Sequence, residues 1–137
     1  MILLVEDNPD DEVLVKRTFE RIGLKHRIYT VTSGSDAIAY LKRQPPFDDR
    51  EKFPIPDLLL LDIKLPGQDG FEVLRSIRQD WMPWHLPIVI LTSSDHIRDA
   101  NQAYQLGANS FLVKPLDFEN AAELAQSLDR VIKGSIY

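Results

Sequence analysis

Cysteine is absent from the 137-residue chain, which excludes a disulfide framework, thiol catalysis, cysteine zinc sites and iron–sulfur clusters. Positive charge is in short supply as well. Sixteen Lys and Arg stand against 21 Asp and Glu, a formal net charge of −5, so the basic footprint of a direct nucleic-acid binder is missing. No apolar run approaches the roughly 18 residues that a membrane span requires. No basic segment precedes the apolar start Ile2-Leu3-Leu4-Val5, so a cytoplasmic protein without leader or membrane association is expected. What remains is ordinary globular composition, with 44% apolar and 27% charged residues. The length suits one domain over residues 1–137.

The segments alternate. Ile2 to Val5 reads as a buried strand with an acidic tip, Glu6-Asp7. Asn8 and Pro9 suit the N-cap and first turn of a helix, with Asp10, Asp11 and Glu12 at its positive end. Val15, Phe19 and Ile22 recur at helical spacing, and Gly23 offers the stop. Arg27 to Thr32 is a second strand. Ser33-Gly34-Ser35 opens a second helix carrying Ala37, Ile38 and Leu41. Gln44 to Pro56, with prolines at 45, 46, 54 and 56, reads as a surface loop. The run Leu58-Leu59-Leu60-Leu61 lies between Asp57 and Asp62; its shortness and the following Pro66-Gly67 favour strand over helix. Asp69 caps a helix carrying Phe71, Val73, Leu74 and Ile77. Leu86 to Leu91 is the fourth strand. Ile97, Ala100 and Tyr104 mark a fourth helix closed by Gly107. Ser110 to Val113 is the fifth strand, and Phe118, Ala121, Ala125, Leu128 and Ile132 line a last helix with Gly134 beyond it.

Five βα units in succession predict an α/β fold with a parallel sheet covered by helices on both faces. Ligands in such sheets bind beyond the carboxyl ends of the strands. Those ends carry Glu6 and Asp7, Asp62, Thr92, and Lys114. Any one of these acids alone would read as a helix cap or a solvated group. Together at consecutive strand tips they predict a crevice of three carboxylates, a hydroxyl and an ammonium. Two carboxylates about 4 Å apart repel by roughly 4 kcal/mol at an effective dielectric near 20, so cations must offset them. Lys114 is one; a hard divalent ion, with Mg²⁺ the best fit, is the other.

These residues carry a resemblance. Glu6-Asp7, the run from Leu60 to Gly67 around Asp62, Leu91-Thr92-Ser93-Ser94 and Phe111-Leu112-Val113-Lys114-Pro115 resemble the receiver domain of two-component response regulators. The motif from Asp62 through Pro66, Gly67 and Gly70 belongs to the same set. The Pro-rich stretch before the third strand is similar to that of small stand-alone regulators associated with phytochrome-type kinases. The resemblance implies a doubly wound, flavodoxin-like (βα)5 fold with strand order 2-1-3-4-5. It implies that Asp62 is the phosphoacceptor, taking a phosphoryl group from a sensor histidine kinase. Asp7 would bind Mg²⁺ directly and Glu6 directly or through water, with Asp62 and the carbonyl of Lys64 completing the set. Thr92 and Lys114 would contact the phosphoryl oxygens, and Lys114-Pro115 would be a cis peptide. Thr92 and Phe111 would act as switch residues for an output face of helix 4, strand 5 and helix 5. Lys64 and Ser94 flank the site and are expected to modulate the lifetime of the acyl phosphate.

Weaker signals surround this set. Lys16, Arg17, Arg21, Lys25, His26 and Arg27 form a basic cluster, read either as a solvated face or as the kinase docking surface that the resemblance implies. Trp81 and Trp84 are expected to pack over the bottom of the sheet. Leu124 or Val131 could add a homodimer surface, and His26, His85 and His96 are too scattered for a metal cluster. An aspartyl-phosphate phosphatase of the haloacid dehalogenase type needs a second Asp where Lys64 stands. A flavodoxin-like carrier needs a neutral phosphate loop where Glu6 to Asp11 stand. The expectation is a signalling phosphoacceptor rather than an enzyme, self-catalysing phosphorylation and dephosphorylation. Its output would go to an unidentified downstream protein, or onward as phosphate to a histidine phosphotransfer protein.

Overall fold

The computed structural model describes residues 1–93 and 96–132, with side chains as far as Gln126. Five parallel strands alternate with five helices: β1 (Ile2–Val5), α1 (Pro9–Arg21), β2 (Ile28–Val31), α2 (Gly34–Leu41), β3 (Leu58–Leu61), α3 (Gly70–Asp80), β4 (Ile88–Thr92), α4 (Ile97–Gln105), β5 (Ser110–Val113) and α5 (Phe118–Ile132). The sheet order is β2-β1-β3-β4-β5, as the resemblance implies. Among the described residues no helix is long and apolar enough to cross a membrane.

The apolar strand sequences follow from burial on two sides. Leu3, Val5, Leu59, Leu61, Ile88 and Ile90 face one cluster with residues of α2, α3 and α4. Ile2, Leu4, Leu58, Leu60, Val89 and Leu91 face the other, with Val15 and Phe19 of α1 and Ala121 of α5. Side chains alternate along a strand, so a strand covered on both faces has no polar positions to spare. The edge strands β2 and β5 are only half-buried.

Several expectations need correction. The stretch 44–56 is not simply a surface loop. Phe47 is buried, and its ring lies 5.3 Å from both Tyr40 and Phe53. The Tyr40 hydroxyl donates to the Pro54 carbonyl at 2.8 Å, and Arg50 donates to the carbonyls of Leu41 and Phe53. The segment therefore closes one end of the core. Helix α4 exists, but with a different inner face: Ile97 is 78% and Tyr104 49% exposed, while Ala103 is buried. Trp81 packs against the core, whereas Trp84 is 66% exposed. Phe118 is half exposed, lying under the Arg21 guanidinium at 4.8 Å instead of in the core. A short antiparallel ribbon, Lys64–Leu65 with Gln68–Asp69, turns at Gly67 (φ +68°) and precedes α3; its two-residue arms are too short to show a period. Leu124 packs against the core, while the side chains of Leu128, Val131 and Ile132, and Gly134, lie outside the described residues.

Arg78 clasps the lower end of α3 to the α4–β5 connection. It donates to the carbonyls of Gly107 (2.8 Å), Trp81 (3.0 Å) and Leu86 (2.8 Å) and to Asn109 Oδ1 (2.8 Å). Burial pulls its guanidinium down to about 10, which leaves it charged at neutral pH. Arg78→Met keeps the aliphatic stem and removes the donor for all four acceptors. It should lower the unfolding free energy by about 2–3 kcal/mol, measured by urea denaturation; a change within experimental error would refute the clasp.

Candidate functional site

Strand register brings the acidic and basic residues together. Val5 of β1 pairs with Leu61 of β3, so Glu6 and Asp62 emerge side by side from the sheet. Thr92 ends β4 opposite Val113 of β5, and the Lys114 amide donates to the Thr92 carbonyl at 2.8 Å. Glu6, Asp62 and Thr92 are buried. The Lys114–Pro115 peptide is cis, as is Pro45–Pro46.

At the centre lies the Lys114 ammonium. It donates to Glu6 Oε1 at 2.5 Å, Asp11 Oδ2 at 2.9 Å and Asp62 Oδ2 at 2.9 Å. The other Asp62 oxygen accepts from the Lys64 amide at 2.9 Å. Burial pushes Glu6 upward in spite of Lys114 beside it. Burial alone would lower Lys114, but its hydrogen bonds to Glu6, Asp62 and Asp11 outweigh that and hold it above the usual lysine range. The ammonium therefore stays protonated.

Glu6, Asp7 and Asp62 present ligand oxygens that all lie within 4.8 Å of one another. Oxygen-only donors of negative charge suit a hard divalent cation such as Mg²⁺. The residues present fit that ion.

Glycine at 70 keeps this end of β3 in place. A Cβ there would press on the Ile63 backbone, with the Ile63 oxygen only 2.7 Å away, while the Gly70 amide donates to that oxygen at 3.1 Å. Ile63 adjoins Asp62, so the glycine in the motif allows the close approach that sets the Asp62 backbone.

The other expected residues occupy varied positions. The Lys64 side chain is exposed. Phe111 is half-buried against the core, and its amide donates to the Tyr104 hydroxyl at 3.2 Å. Ser94 lies outside the described residues. Asp11 is the residue that sequence reading missed: taken as a helix-dipole acid, it is a direct partner of Lys114. The signal was available, since the Asn8 cap places the first turn of α1 at the same end of the sheet as the strand tips.

Comparison with known proteins shows the family of the chain. Residues 2–126 match the model of the response regulator receiver domain. The chain is similar to the probable methanogenesis regulatory protein FilR2 of Methanothrix harundinacea, with 37% identity over 93% of this chain and 80% of that protein. It is also similar to the response regulator Rcp1 of Synechocystis sp., with 33% identity over 94% of this chain and 86% of that protein. The Mn(2+)-bound form of Rcp1 superimposes with a TM-score of 0.73 at 32% identity, covering 99% of this chain and 96% of that one. The phosphorylated cyanobacterial phytochrome response regulator RcpA gives a TM-score of 0.73 at 33% identity, covering 96% and 90%.

A cation bound only by the folded site stabilises the fold by mass action. MgCl2 at about 100 times its dissociation constant should add roughly 2.7 kcal/mol, seen as a higher Tm, and Asp7→Ala should remove most of the gain. A wild-type Tm indifferent to MgCl2 would contradict the metal assignment.

Proposed function

We propose that this chain, which belongs to the response regulator receiver family, accepts a phosphoryl group on Asp62 from the phosphohistidine of a sensor kinase. A carboxylate oxygen of Asp62 bonds to phosphorus as the P–N bond breaks, and the bonding pair stays on the imidazole nitrogen. Hydrolysis reverses the mark: a water oxygen bonds to phosphorus, the P–O bond to Asp62 breaks, and carboxylate and inorganic phosphate are released. Such transfers depend on positioning and charge neutralisation more than on a strong nucleophile.

One observation carries this reading: Lys114, held charged, already touches the Asp62 carboxylate. In the reaction its ammonium follows the charge onto a phosphoryl oxygen. Thr92, buried at the tip of β4, donates its hydroxyl to another. A divalent cation held by Asp7, Asp62, Glu6 and the carbonyl of Lys64 supplies further positive charge when bound. Residues 1–137 act as one receiver unit in the cytoplasm. The mark is read out through α4, β5 and α5, with Thr92 and Phe111 as the moving residues.

The kinase docks on α1. Arg17 and Arg21 are exposed there, beside the exposed apolar Val13 and Leu14. A phytochrome-type kinase is favoured by the likeness to RcpA, a phytochrome response regulator.

Two experiments test these assignments. Acetyl phosphate with MgCl2 should add about 80 Da, the mass of one phosphoryl group, to the wild type and nothing to Asp62→Asn; an unmodified wild type sinks the reading. Charge reversal at Arg17 and Arg21 should slow transfer from the kinase at least tenfold, on the order of 1.4 kcal/mol, while labelling by acetyl phosphate continues at the wild-type rate. Equal slowing with both donors would place the two arginines outside the docking surface.

A further inference from the structure

We propose that Asp11 is a positioning residue that competes with the phosphoryl group for Lys114 and thereby shortens the phosphorylated state. The proposal rests on the phosphoacceptor reading above. A lysine ammonium has three N–H donors, and in the resting protein Lys114 directs them at three carboxylates: Glu6, Asp11 and Asp62. When Asp62 becomes an acyl phosphate, its negative charge moves outward onto the phosphoryl oxygens, and the N–H that faced Asp62 follows it. Lys114 is drawn outward with that bond, at the expense of its bonds to the two carboxylates that remain, Glu6 and Asp11.

The two remaining partners differ in what release costs. The Glu6 side chain is 2% exposed, whereas that of Asp11 is 33% exposed. A carboxylate stripped of its partner in the interior keeps an uncompensated charge, while one at the surface is rehydrated. Asp11 also borders a cleft with Leu14, Thr18, Ser93 and Pro115 that opens to solvent. It is the partner most cheaply released. Its resting bond to Lys114, which ties the first turn of α1 to the segment after β5 across 103 positions of sequence, is therefore forfeited when the phosphoryl group is held. The unmarked state is favoured by that amount.

Beryllofluoride, a stand-in for the phosphoryl group, provides the test, with affinity measured by calorimetry in MgCl2 and acyl-phosphate half-life measured in parallel. Asp11→Asn and Asp11→Ala should each bind it about fivefold more tightly, the effect expected of one part-exposed ion pair, and should lengthen the half-life in the same sense. Asp10→Asn is the charge control. Asp10 lies in the same turn and is exposed, so a field effect of one lost charge would appear there equally. Thermal unfolding checks that each variant is folded. Asp11 variants that match Asp10→Asn, or bind beryllofluoride more weakly than wild type, overturn the proposal and leave the phosphoacceptor reading standing. A wild type that binds no beryllofluoride overturns both.

Discussion

A single part-buried ammonium holds the functional end of this molecule together. Carboxylates gathered at the tips of two adjacent strands and one helix would repel one another strongly in a medium less polarisable than water. Lys114 makes that gathering tolerable. It reaches Glu6 after β1, Asp11 on α1 and Asp62 after β3, across 108, 103 and 52 sequence positions. Removing it would leave buried acids without a counter-charge; burial already pushes Glu6 upward even with the lysine in place.

The sheet makes this convergence possible. Parallel strands deliver all their carboxyl ends to one side, and apolar side chains on both faces fix the register. The pairing of Val5 with Leu61 and of Thr92 with Val113 places the next residue of each strand in the crevice. Chemistry at the tip thus depends on packing several ångströms below it. The Gly70 contact with the Ile63 backbone extends the same dependence to the far side of the ribbon.

Much of this was legible in the sequence because double-sided burial leaves a plain mark. The runs Ile2–Val5 and Leu58–Leu61 are too short for buried helices, and the acids and lysine that end the strands follow from strand direction. The parts that were not legible depend on three-dimensional neighbours. Helix α4 carries apolar residues on an exposed face, so periodicity pointed to Ile97 and Tyr104 where the inward residue is the small Ala103. Phe47 and Phe53 lie in a proline-rich stretch without period, and their packing on Tyr40 is set by how the chain returns to the sheet. Asp11 had a sufficient local explanation as a helix-dipole acid, and that explanation concealed its long-range partner.

The clasp at Arg78 has a mechanical corollary. It fastens the segment that follows α4, through Gly107 and Asn109, to the base of the sheet. At the opposite end of the helix His96 provides no side-chain cap and Ile97 stands in solvent. A rod fixed at its foot turns about that point: a tilt imposed on α4 would have its fulcrum near Gly107 and would displace the His96 end the most.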